Sequence, residues 1–175
     1  MSGSKTRKLA IDAMLAAMYL VLSFVSVSMP NMKITFDALP ILVGAALFGP
    51  WDGLAIGLIG SFLNQLLGPY GLSVTTPLWI IPAGVRGLMV GAYAKHKNFD
   101  MTLPQTMMIT VLSALVVTAI NTLVMYIDSK IFGYYSYAYV FGMVIPRIIV
   151  GIVTGVVFAA ILPPLLRVLR ERVLK

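Results

Sequence analysis

Two arginines sit inside long apolar runs of this chain, Arg86 within about 77–94 and Arg147 within about 139–166. An arginine deep in a hydrocarbon span costs at least about 2.5–3.5 kcal/mol, and such residues normally face a cavity and have a partner. The guanidinium is a planar fork of donors that matches a carboxylate. Side-chain amides recur in the same kind of setting, at Asn64, Gln65 and Asn121. Thr118 and Met125 share a helical face with Asn121 by their spacing of three and four. Trp79 and Tyr139 add aromatic faces that suit a flat ring. Two cations, three amides and aromatic walls fit an anionic, partly apolar small molecule.

Other chemistry is thinly supplied. The chain has no cysteine and one histidine, His96, set between Lys95 and Lys97. Disulfides, thiolate nucleophiles and Cys-ligated metals are therefore excluded, and a histidine metal cage or Ser-His-Asp triad is not expected. No metal or cofactor is expected. There is no Walker loop, so the chain cannot hydrolyse ATP itself. No group of acidic residues inside apolar runs points to proton or sodium coupling. An intramembrane enzyme would need an acid-base set, and only scattered Ser, Thr and Asp are on offer. A small ion-coupled carrier would need an intramembrane carboxylate, and Asp12 lies near one end of its run. Both remain alternatives to a binding subunit.

The elements that hold these residues follow from composition. Of 175 residues 59% are hydrophobic and 11% charged, with a net charge of +7. Soluble domains run at about 45–50% apolar and about 25% charged. A soluble enzyme, a disordered chain and a nucleic-acid-binding domain are excluded. The expected fold is an all-α integral membrane protein, a single domain over 1–175 with six transmembrane helices in a compact bundle. The spans are read at about 9–29, 39–48, 53–67, 77–94, 103–127 and 139–166. The second and third are too short to span upright and must tilt, pack inside protein or be re-entrant.

Six spans put both termini on one side. That side carries nine of the thirteen Lys and Arg, namely Lys5, Arg7, Lys8, Lys95, Lys97, Arg167, Arg170, Arg172 and Lys175. The other side carries Lys33 and Lys130, and Arg86 and Arg147 lie inside spans. By the positive-inside rule both termini are cytoplasmic. In that orientation Arg86 lies about 13 Å and Arg147 about 12 Å below the outer surface, at 1.5 Å per helical residue. Asn121 falls about 9–10 Å deep by the same rise. The joint placement in one outer layer is what favours a binding site.

Each residue also has a structural account. Arg86 and Arg147 can snorkel, or pair with carbonyls freed by Pro82 and Pro146. The amides can be interhelical hydrogen-bond glue. Trp79 and the tyrosines can form an interfacial belt. Asp37 and Asp128, on the outer side, are solvated by default. In the first span Ala13 and Ala17 are four apart on one face, a spacing that lets another helix approach closely, in this bundle or from a partner.

The chain resembles the substrate-binding S components of energy-coupling factor (ECF) transporters, the ABC-type vitamin uptake systems of bacteria and some archaea. The resemblance rests on length, span count, the Ala13-x-x-x-Ala17 motif, and the stretch Lys33-Ile34-Thr35-Phe36-Asp37-Ala38-Leu39-Pro40 leading to Leu47-Phe48-Gly49-Pro50. That stretch is similar to the folate, riboflavin and pantothenate branches. The resemblance implies a non-catalytic subunit of the cell membrane that binds a vitamin from outside. It implies a lid between the first two spans, here bearing Lys33, Phe36 and Asp37. It implies docking through Ala13 and Ala17 on a membrane scaffold subunit shared with two cytoplasmic ATPases, then toppling to release the vitamin inside. No nucleic-acid partner is implied; membrane lipid is. The arginines favour an acid such as pantothenate or folate. A neutral ligand stays open if they are structural.

Overall fold

The computed structural model describes residues 2–29, 32–68 and 71–173, with side chains from 5–25, 35–68 and 71–171. The principal helices are α1 (Ser2–Phe24), α2 (Ala38–Phe48), α3 (Pro50–Leu67), α4 (Thr76–His96), α5 (Leu103–Ile131) and α7 (Val144–Val173). A five-residue helix, α6 (Tyr137–Phe141), precedes α7. Strands β1 (Ser26–Met29) and β2 (Met32–Thr35) form an antiparallel hairpin between α1 and α2.

Local chemistry explains these boundaries. Pro50 opens α3, and Pro77 and Pro104 lie in the first turns of α4 and α5, where a missing N–H does no harm. Thr102 and Gln105 close a capping box at the start of α5, with the Thr102 N–H donating to Gln105 Oε1 at 3.1 Å. Gly49 turns α2 into α3 with φ of 105°, a conformation that favours glycine. Pro82 is inside α4, and Pro163 and Pro164 inside α7.

Three expectations are corrected. The first span was read as helical to residue 29, but the helix stops at Phe24 and 26–29 is a strand. The sequence there, Ser-Val-Ser-Met, alternates with the period of two that a strand requires. The sixth segment breaks at Gly142 into α6 and α7. The fifth runs on to Ile131, four residues past its expected end, which brings Asp128 into the helix.

Helix α2 is buried from Ala38 to Ala46 apart from Leu39, and Ile41, Leu42, Ala45 and Ala46 are at most 1% exposed. A helix that is apolar all round belongs in the interior, so this short segment packs inside protein, one of the arrangements its length allows. It packs against α3, α4, α1 and α7. Around it, α3 and α4 approach with glycine facing glycine. A Cβ built on Gly53 would lie 2.6 Å from the Gly87 carbonyl oxygen, and Gly57 faces the Ala83 carbonyl in the same way. Small residues at such a seam let two backbones touch.

One end of the bundle gathers the basic groups. Lys8 pairs with Asp52 at 2.7 Å, rather than with Asp12 one turn along its own helix. The Arg170 guanidinium donates to the Phe99 carbonyl, and Phe99 lies beside Gly49. The start of α1, the α2–α3 and α4–α5 turns and the end of α7 therefore share this end. Two helical stretches, Leu103–Ile131 and Tyr137–Glu171, are long and apolar enough to cross a membrane by length and composition.

Candidate functional site

In the half of the bundle away from the basic end, three helices turn matching stripes toward one cavity of about 450 Å³. From α4 come Trp79, Pro82, Ala83 and Arg86. From α5 come Ala114, Val117, Thr118, Asn121 and Met125, and from α7 Arg147, Val150, Gly151, Thr154 and Phe158. The α5 and α7 stripes both repeat at three, four, seven and eleven residues, the spacing of a single helical face. Thr35, Asp37, Ala38 and Ile41 line the cavity from the hairpin and α2, Tyr19 from α1 and Ser61 from α3. Pockets for small ligands fall in the range of about 300–1,000 Å³ and are mostly apolar with a few convergent polar groups.

Both arginines line this space, and each has a nitrogen without a partner among the described residues. Nε of Arg86 and Nη1 of Arg147 are buried, and neither has a hydrogen-bond partner among the described residues. A buried polar group without a partner is expensive, and a buried charge more so. Asp37 and Tyr19 lie within electrostatic reach of Arg86, and Tyr139 within reach of Arg147. The cavity thus keeps an excess of positive charge and unspent N–H groups. Asn121 brings amide chemistry to the same walls.

The expected residues divide. Trp79, Arg86, Asn121, Met125, Arg147 and Asp37 are brought together on the cavity wall. Asn64, Gln65 and Tyr139 are not on it. Asn64 turns to α1, where Ser23 Oγ donates to its Oδ1 at 2.8 Å, and Gln65 is half-buried beside it on α3. Tyr139 packs edge-on against Tyr134, with ring centroids 5.5 Å apart. Phe36 is not among the lining residues; its ring meets that of Phe158, which is, edge-on at 6.4 Å. The side chain of Lys33 lies outside the described residues.

Asp128 corrects another expectation. It is 7% exposed rather than solvated. Its Oδ1 accepts from Thr75 Oγ1 and, at 3.2 Å, from Trp79 Nε1, while its Oδ2 accepts from the Tyr134 hydroxyl. Partial burial and then this carboxylate push the Tyr134 phenol above its usual range. Lys130, two residues further along, stands over the Tyr135 ring, 4.0 Å from its centroid. The signal in sequence was the spacing itself: Asp128 lies seven residues beyond Asn121, on the same helical face.

A family model described as "ECF transporter, substrate-specific component" matches residues 7–166. The chain belongs to this ECF transporter family. The solved structure of FolT bound with folic acid is similar in fold, with a TM-score of 0.68 and 20% sequence identity over 89% of both chains. The S component of a bacterial ECF transporter aligns with a TM-score of 0.65 and 23% identity, over 95% of this chain and 99% of that one. Among curated relatives, a UPF0397 protein of Streptococcus pneumoniae (strain CGSP14) is 35% identical over 83 residues, 46% of this chain and 44% of the relative. The match thus spans less than half the length of that relative.

As an ECF substrate-specific component the chain carries its alanine motif outward. Ala13 and Ala17 are exposed on α1, whereas Ala16 beside them is 2% exposed. Met14, Met18 and Val21 flank them, also exposed. Among the described residues the face is an open apolar surface, not a seam with another helix.

Proposed function

We propose that the protein is the membrane-embedded binding subunit of a vitamin uptake system, and that its ligand is a small organic anion held between Arg86 and Arg147. The observation that carries this reading is that two half-buried arginines line one cavity, each with a buried nitrogen that has no hydrogen-bond partner among the described residues. A carboxylate would satisfy both the charge and the donors, and the indole of Trp79 would pack on a flat or apolar end. Asn121 and Met125 complete the contacts in this proposal, and Asp37 with Phe36 and Lys33 belongs to the lid. Six spans put both termini on one side, and the nine-to-two distribution of basic residues favours a cytoplasmic place for them. The cavity then lies in the outer half, where a solute from outside reaches it.

Two vitamins suit these walls. Folate has two carboxylates and a flat pterin, and the fold shared with FolT bound with folic acid favours it. Pantothenate has one carboxylate, and Asp37 near Arg86 favours a single negative charge. Mass spectrometry of the small molecule that co-purifies with the protein decides between them. An organic acid is expected; a neutral compound at stoichiometric occupancy overturns the anion reading.

The exposed alanine face of α1 is proposed as the seat of a membrane scaffold subunit shared with two cytoplasmic ATPases, about which the subunit topples to deliver its ligand. Replacing a small residue there with a bulky one separates the two tasks. Ala17→Trp is expected to leave binding by purified protein within about twofold while abolishing ATP-driven uptake by the whole transporter, since an apolar surface side chain adds little to stability but blocks close helix approach. Weakened binding in the isolated variant contradicts that division.

A further inference from the structure

The three donors on Asp128 come from separate places: Thr75 at the cap of α4, Trp79 in the first turns of α4, and Tyr134 in the connection after α5. Of these only Trp79 lines the cavity. An indole N–H is a donor only, and when buried it needs an acceptor to avoid a desolvation penalty. An ionised carboxylate is an acceptor only, with room for about four hydrogen bonds. Asp128 therefore holds three donors at once and fixes the indole plane against the cavity. Thr75 is 1% exposed, and its hydroxyl also lies 2.9 Å from that of Ser73, so the acceptor is anchored from behind. From Tyr134 the line continues to the other wall. Its ring packs on Tyr139, which lies in electrostatic reach of Arg147.

We propose that Asp128 is the positioning residue of the site: it sets the orientation of the Trp79 indole and ties the α5–α6 connection to it, and so determines which flat groups the cavity admits. The selectivity part rests on the binding reading given above; the positioning part stands without it. The role belongs to the carboxylate rather than to bulk, because both oxygens are used and by different segments.

Trp79 reports on this directly. Trp51 is 73% exposed at the opposite end, so Trp51→Phe leaves Trp79 as the one tryptophan of the chain. In ligand-free protein of that background, Asp128→Leu is expected to shift the Trp79 emission maximum and to raise its acrylamide quenching about twofold, because the indole N–H loses the Oδ1 acceptor while the side-chain volume is nearly kept. Helical content by circular dichroism should be unchanged. Unaltered emission and quenching in folded Asp128→Leu overturns the proposal. Tyr134→Phe reads the same cluster from its other end and applies if the first variant does not fold: a smaller rise in quenching is expected, and no change overturns the tie between connection and indole. Titrating the parent and Asp128→Leu with folic acid and with pantothenate then tests selectivity, with a changed ratio of the two affinities expected. An unchanged ratio overturns the selectivity part. If the parent binds neither acid, the binding reading fails, while the fluorescence result still judges Asp128.

Discussion

Helix α4 has two sides, and they are built on opposite rules. Toward α3 it offers Ala83 and Gly87, and the two backbones touch. Toward α5 and α7 it offers Trp79 and Arg86, and the space between stays open. The cavity wall also contains a glycine, Gly151 of α7 beside α5, and its place is less tight than the seam. A Cβ on Gly151 of α7 would meet Thr118 Oγ1 at 3.5 Å, ordinary contact, whereas one on Gly87 of α4 collides with the Gly53 carbonyl. The bundle has a closed seam that fixes α4 and an open wall that leaves its polar face unfilled. Rigidity on one side lets the other hold two cations apart without collapsing.

Four substitutions probe that contrast, in falling order of effect. Gly87→Ala should be the most damaging, since a methyl against backbone has nowhere to go; overpacking of this kind costs about 1–3 kcal/mol or more, read as a lower midpoint of thermal unfolding in detergent. A normal midpoint would show that the seam gives way. Arg147→Ala and Arg86→Ala should spare the fold but weaken binding of the co-purifying acid by more than about tenfold, or about 1.4 kcal/mol, in a direct titration. Unchanged affinity in both would return the arginines to a structural role. Gly151→Ala should change stability by less than about 0.5 kcal/mol, because the site has room and a helical alanine is preferred to glycine. A large loss there would mean that the wall is as tight as the seam.

The sequence made α4 and α5 readable because proline and capping residues mark their starts and lysines crowd the end of α4. The hairpin was not readable. Residues 26–29 continue an apolar run, and four residues of alternation are too few to overrule it. Depth along a helix placed Arg86, Asn121 and Arg147 in one layer, but it carries no rotation about the axis. Asn64 shows the difference: it lies on α3, which contributes Ser61 to the cavity, yet its own side chain faces Ser23. In sequence Asp128 reads as solvated by default, because it lies past its apolar run on the outer side. What buries it are Thr75, Trp79 and Tyr134, which arrive from elsewhere in the chain.

Helix α1 touches both worlds. Tyr19 reaches the cavity, and Ala17, two residues earlier, is on the exposed face. About one half-turn of a single rigid element separates them. Binding linkage then imposes a symmetry. Any partner seated on the alanine face that moves α1 and so changes ligand affinity by some factor must itself be bound more or less tightly by the same factor when the cavity is filled. For such a partner a loaded subunit and an empty one would differ in affinity, and a single helix would carry the difference without a separate switch.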